Sequence, residues 1–239
     1  MTHVGEQTGG LAQRLARVDA EIADAARAAG RDPSSLTRIV VTKFHPASLI
    51  TALHDLGVRD IGENRQQELT AKIGEVGTLA GMHWHFIGQA QTNKARALRA
   101  AASAVPLTVH SVDRARLADA LDAAAGPVDP VLEVLLQVNL TQDPGRGGVD
   151  PADVEGLAAH VAGCASLRLR GVMGVAPLDE PPASAFARLR ACADTVRSVR
   201  PDATWMSAGM TADFADAIAA GATHLRIGTA ITGPRPVAG

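Results

Sequence analysis

Tyrosine is absent from the 239 residues, and four phenylalanines and two tryptophans make up all of the 3% aromatic content. A core must then be filled by aliphatic side chains, and chemistry that needs a phenol must find another group. Cysteine is nearly as scarce. Cys164 and Cys192 show no CxxC spacing, which argues against a disulfide framework and fits buried thiols in a reducing cytoplasm. Neither sign of charge dominates: 23 Lys and Arg against 25 Asp and Glu leave a net charge of -2. No basic footprint for nucleic acid or an anionic membrane is present. No apolar run approaches the roughly 20 residues of a membrane span, and the opening MTHVGEQTGG lacks the charged and apolar regions of a signal peptide. The expectation is a soluble, cytoplasmic chain with no nucleic-acid or membrane partner. A small anionic ligand at a local site stays open.

What is present is alternation. A helix is expected from about Leu11 to Ala29, with Leu11, Leu15, Val18, Ile22 and Ala26 on one stripe and Gly30 closing it. Residues 1–9 read as a flexible tail. Short apolar runs then alternate with Ala-rich helical stretches. The runs are Arg38–Lys43, Val58–Gly62, His83–Gly88, Leu107–Ser111, Val131–Asn139, Leu167–Met173, Ala203–Met206 and Thr223–Ile227. Eight strands separated by seven helices predict parallel βαβ units, and the N-terminal helix supplies an eighth cover. The chain reads as one domain over 1–239, an α/β fold of the (β/α)8 TIM-barrel type. A doubly wound open sheet is the runner-up, disfavoured because the Gly-rich turns follow late strands rather than the first.

In such a barrel, functional residues gather at the C-terminal ends of the strands and in the loops that follow. Lys43 closes the first run. It is either a solvated rim charge, as most lysines are, or a partly desolvated amine able to attack an aldehyde; position alone leaves both open. Ser207-Ala208-Gly209-Met210-Thr211 follows the seventh run and Gly228-Thr229 the eighth. Barrels often bind phosphate with these two loops. Thr211 is expected to cap the next helix, with Asp213 in its first turn. Arg226 is either a salt-bridged wall residue or, if it points inward, a donor to a pyridine nitrogen. Such a partner keeps its own proton and leaves that nitrogen unprotonated, which makes the ring a poorer electron sink.

The segments VTKFHP (41–46), IGENRQQE (61–68), WHFIGQAQTNKAR (84–96), VHSVDR (109–114), LLQVNL (135–140), LRGVMGV (169–175) and WMSAGMTADFADAIAAGATHLRIGTAITG (205–233) together resemble the pyridoxal phosphate homeostasis protein family. That family shares the barrel of the N-terminal domain of alanine racemase. The resemblance implies pyridoxal 5'-phosphate (PLP, the vitamin B6 cofactor) held as a Schiff base on Lys43. It implies a phosphate site made by Ser207, Gly209, Met210 and Thr211 on one side and Gly228 and Thr229 on the other, with Arg226 facing the pyridine nitrogen. Asn64 and His85 would line the pocket near the ring and Met173 would pack beside it. It further implies buffering or delivery of PLP, with apo PLP-dependent enzymes as partners, rather than strong catalysis. The chain departs from the family pattern at Ala90 (usually Leu), Arg146 (usually Lys), Ala208 (usually Met) and Thr211 (usually Ser); Thr211 keeps the hydroxyl.

Four other functions compete with this reading. An amino-acid racemase needs a second base opposite the lysine, which in alanine racemase is a tyrosine; none is present, and the length leaves no room for the domain that carries it. An aminotransferase would need another fold and a carboxylate partner for the ring nitrogen. A metal-dependent hydrolase is suggested by His83 and His85, which share one face of a strand, but no acidic cluster at a later strand end completes a site. A structural or partner-binding role predicts no chromophore. A monomer is expected, because the racemase dimer interface belongs to the second domain.

Overall fold

The computed structural model describes residues 2–143 and 145–235, with side chains from residue 10 onward. Eight strands form a closed, all-parallel barrel in the order β1 to β8. They are β1 Thr37–Val41, β2 Asp60–Glu63, β3 His83–Phe86, β4 Leu107–Val112, β5 Leu132–Gln137, β6 Leu167–Met173, β7 Trp205–Ser207 and β8 His224–Ile227. The helices are α1 Thr2–Ala28, α2 Ala47–Asp55, α3 Gln66–Val76, α4 Ala95–Ala104, α5 Ala115–Ala123, α6 Val154–Ala162, α7 Pro182–Val199, α8 Phe214–Ala219 and the single turn α9 Thr229–Thr232. The open-sheet alternative is thereby set aside. Helix α1 begins well before Leu11; Met1 and the side chains of residues 2–9, where a flexible tail is expected from the sequence, lie outside the described residues.

β1 stops at Val41, so Lys43 sits in the turn beyond it, and β5 stops at Gln137, two residues before Asn139. Alternate residues of every strand face the helices and form one apolar layer with them: Ile61, Trp84, Val109, Val134, Leu169, Met206 and Leu225 all belong to it. In α1 the stripe Leu11, Leu15, Val18, Ile22 and Ala26 is buried in the same layer. Arg14 Nε fastens α1 to the chain end by donating to the Ile231 carbonyl at 2.7 Å. Cys192 is buried in α7, whereas Cys164 is only half-buried, against the expectation of two buried thiols; burial pushes both thiols above their usual range. Among the described residues no helix is long and apolar enough to cross a membrane.

Candidate functional site at the C-terminal mouth of the barrel

The inward face of the strands carries several polar side chains beside aliphatic ones such as Ile39 and Val41, whereas branched aliphatic residues usually fill such barrels. Arg226, 5% exposed on β8, donates from Nη1 to Ser207 Oγ (2.8 Å) and from Nη2 to the Gly174 carbonyl (2.9 Å) beyond β6. Burial pushes its pKa down to about 10, with Asp213 acting against the shift, so the guanidinium stays charged at neutral pH. The inward-pointing arginine considered from sequence is therefore the one found, held from two sides near the top of the barrel. Its contacts span β8, β7 and the loop after β6.

Ser207 is fully buried, and its hydroxyl is engaged with Arg226 and with His110 Nδ1 (3.0 Å). It belongs to the barrel interior as much as to the turn that follows, which corrects its placing among the phosphate-facing residues alone. The turn itself turns on Gly209. Its φ is +90°, and a Cβ there would meet the Ala217 Cβ at 2.8 Å and the Phe214 Cα at 3.0 Å, so only glycine lets this loop lie flat against α8. Helix α8 begins at Phe214 rather than Thr211, so Thr211 is not its cap. Asp213 instead accepts from the Met210 backbone N–H at 2.6 Å. That amide is thus already used, whereas the Thr211 side chain is exposed. On the adjacent strand, a Cβ at Gly228 would have only Val41 within 4 Å. The turn is open on its mouth side, with exposed Thr229 starting α9.

That contact also brings the β1 end beside the β8 end, and Lys43 lies two residues past Val41. Its side chain is exposed, with Nζ 5.9 Å from the Phe44 ring centroid. What is unusual is its backbone. Phe44 has φ +68°, a strained value for a residue with a side chain. The turn is clamped from below by groups that sequence reading did not single out. Fully buried Glu63 accepts from Thr42 Oγ1 (2.5 Å) and from Lys72 Nζ (2.7 Å); Lys72 also donates to the Thr42 carbonyl (2.8 Å). Glu68 accepts from the Phe44 N–H (2.5 Å) and pairs with Lys72 (3.1 Å). Burial raises the Glu63 carboxyl, although Lys72 and Thr42 hold it partly back. The signal in sequence was a lysine, Lys72, three residues after Leu69 and so on the buried stripe of α3.

The remaining expected residues divide. Met173 is buried at the end of β6, in register with Ser207 and Gln137. Asn64 is exposed just after β2, its backbone so close to the next loop that a Cβ on Gly88 would sit 1.8 Å from the Asn64 oxygen. His85 is not at the mouth. It is buried within the barrel with both ring nitrogens occupied, Nδ1 by His110 Nε2 (2.9 Å) and Nε2 by Asp60 Oδ1 (3.0 Å). His83 and His85 do share a face, ring centroids 4.6 Å apart. The grouping of side chains with metal-ligand spacing among the described residues lies elsewhere, at Asp119, His160 and Cys164 on the α5–α6 exterior. Of the departures, Ala90 and Ala208 are buried in the apolar layer, and Arg146 is exposed.

A family model described as alanine racemase, N-terminal domain, matches residues 15–236. The pyridoxal phosphate homeostasis protein of Mycobacterium tuberculosis is 40% identical over 243 residues, covering 94% of this chain and 93% of its own length. The protein of the same name from Pseudomonas aeruginosa is 40% identical over 228 residues, covering 94% and 96%. PipY of Synechococcus elongatus, whose structure was solved with PLP bound, aligns with a TM-score of 0.80 and 34% identity over 93% of this chain and all of that one. Alanine racemase of Corynebacterium glutamicum, at 18% identity and a TM-score of 0.67, shares the fold. With such coverage and identity, the chain belongs to the pyridoxal phosphate homeostasis protein family, built on the barrel of the alanine racemase N-terminal domain.

Proposed function

We propose that this chain is a carrier of pyridoxal 5'-phosphate, a single barrel domain over 1–239 that takes part in intracellular PLP homeostasis by buffering or delivering the cofactor, without strong catalytic activity of its own. The observation that carries this reading is the assembly of the mouth: a buried, charged arginine held by Ser207 and the Gly174 carbonyl, two glycine turns after β7 and β8, and an exposed lysine beyond β1. The residue types fit the group. An amine, a permanent cation and small-residue turns answer an aldehyde, a pyridine ring and a phosphate. Bound PLP supplies a reactive aldehyde and an electron-withdrawing ring.

In this reading Lys43 is the covalent tether, and the Glu63–Lys72–Glu68 clamp fixes the backbone that presents it. Gly209, Met210 and Thr211 face the phosphate from one side and Gly228 and Thr229 from the other, with Ser207 linking that turn to Arg226. Arg226 faces the pyridine nitrogen and, staying charged, leaves it unprotonated. Met173 packs beside the ring, Asn64 borders the mouth, and His85 acts from beneath through His110. The relatives are named as homeostasis proteins rather than enzymes. A racemase would need a second base, and no tyrosine exists to be one. The natural setting is a cytoplasmic monomer that meets apo PLP-dependent enzymes.

Purified protein incubated with PLP should turn yellow, and borohydride should fix the cofactor to the Lys43 peptide on mass-spectrometric mapping. Lys43→Ala should lose the fixed adduct. Protein that stays colourless with added PLP, or an adduct mapping elsewhere in wild type, overturns the reading.

A further inference from the structure

Beneath the site, five side chains on five strands are joined end to end: Arg226, Ser207, His110, His85 and Asp60, with separations of 2.8, 3.0, 2.9 and 3.0 Å. Four of the five are no more than 5% exposed; Asp60, near the start of β2, retains some solvent contact. The donors in this chain can be assigned from its two ends. Arg226 has only N–H groups to offer, so the Ser207 oxygen accepts from it. An ionised Asp60 can only accept, so His85 carries its proton on Nε2. A neutral His85 then has a bare Nδ1, which must accept from His110 Nε2–H. His110 is left with a bare Nδ1 that accepts the Ser207 hydroxyl proton. With both rings neutral, no other assignment satisfies all four contacts, and every donor points from Arg226 toward Asp60.

His83 and His224 lie beside His85, with ring centroids 4.6 and 6.2 Å away. Burial, then the neighbouring imidazoles and Arg226, hold His110 well below its ordinary range. Burial works against the Asp60 charge, but the His85 hydrogen bond and the nearby histidines outweigh it and lower that carboxyl.

We propose that Asp60 is a positioning residue for the cofactor: it sets the proton direction of the whole chain, which keeps the Ser207 hydroxyl proton turned down into the barrel and its oxygen facing Arg226. This rests on the reading that Arg226 faces the cofactor ring. Without the Asp60 acceptor, His85 is free to take either tautomer. If the chain reverses, Ser207 receives donors from both Arg226 and His110, and its own proton is expelled toward the ligand space. The Ser207 oxygen then divides its two lone pairs between two donors, which alters the geometry that aims the guanidinium.

The test begins with nitrogen-15 NMR of the histidine rings in the protein without cofactor at pH 7.5. His85 and His110 should both show the Nε2–H tautomer; an Nδ1–H form or an imidazolium at either overturns the proposal, whatever PLP does. Asp60→Ala should give mixed tautomers at both rings. With PLP added, it should shift the absorption band of the bound cofactor and weaken affinity by roughly tenfold, the scale of one lost charge-assisted hydrogen bond. Asp60→Glu should restore the band. An unchanged band and affinity in a folded Asp60→Ala protein also overturns the proposal. If wild type takes up no PLP, the carrier reading fails separately, while the wild-type NMR result still decides the hydrogen-bond chain.

Discussion

Strands β3 and β8 of this barrel each have two faces with opposite chemistry, unlike β1, where Ile39 and Val41 are buried opposite Val40. Trp84 and Phe86 of β3 enter the apolar layer under the helices, while His83 and His85, one residue out of phase, turn inward. On β8 the split is Leu225 and Ile227 outward against His224 and Arg226 inward. Cohesion and ligand chemistry thus occupy alternate positions of the same short segments, and a one-residue slip would exchange them. The outer face should accordingly dominate stability. Trp84→Ala, which empties one of the largest fully buried sites, is expected to cost about 4 kcal/mol in denaturant unfolding. Ser207→Ala on the inner face should cost only about 2 kcal/mol, from the hydrogen bonds left unmade. An inner-face cost equal to the outer would break the contrast.

The clamp under Lys43 is the exception that sharpens it, because it places charge in the outer layer. Glu63→Gln leaves buried Lys72 with only Glu68 as a charged partner, and about 3 kcal/mol of stability should be lost. Adding Lys72→Met should recover part of it. If the double variant is no better than the single, the pair is not the unit that matters.

Acid should act on the inner face first. Burial lowers His83 to about 4 and His224 to about 3, while the unfolded chain titrates near 6.5. A depressed histidine pKa means that the unfolded state binds more protons between those values, so stability is intact above about pH 6.5 and falls as pH drops toward 4. The slope is up to about 1.4 kcal/mol per pH unit for each such histidine. Thermal unfolding followed from pH 7.5 to 5 should show the decline before most surface carboxylates titrate. A flat profile would mean that the inner face is not the acid-sensitive part.

The strand count, the closed barrel and the outer layer were legible because period-two and period-3.6 patterns depend on local spacing alone. Leu11 to Ala26 marked α1, and the Gly209 turn announced itself by composition. The inner face was less legible. His85 was placed in the pocket by the family resemblance alone, since spacing along a strand does not give a side chain's depth in the barrel. Asp60 lay outside every quoted motif and His110 entered only as part of VHSVDR, with no role read for it, since the contact from β4 to β7 is set by barrel closure. The misplaced α8 start has a local cause: Asp213, read as a first-turn acid, spends its carboxylate on Met210 and holds the loop open for three more residues.

Lys43 belongs to neither face, and the smallest stability change should fall there. Its clamp grips main-chain atoms, the Thr42 carbonyl and the Phe44 N–H, and not the lysine side chain. Lys43→Ala removes an exposed side chain and leaves those contacts in place, so unfolding free energy should move by less than about 0.5 kcal/mol. A residue whose loss removes the fixed cofactor without touching the fold is serving the ligand alone. A drop of several degrees in Tm on Lys43→Ala would instead make the lysine part of the rim's architecture, and the strained φ at Phe44 would then be a packing feature rather than a way of presenting an amine.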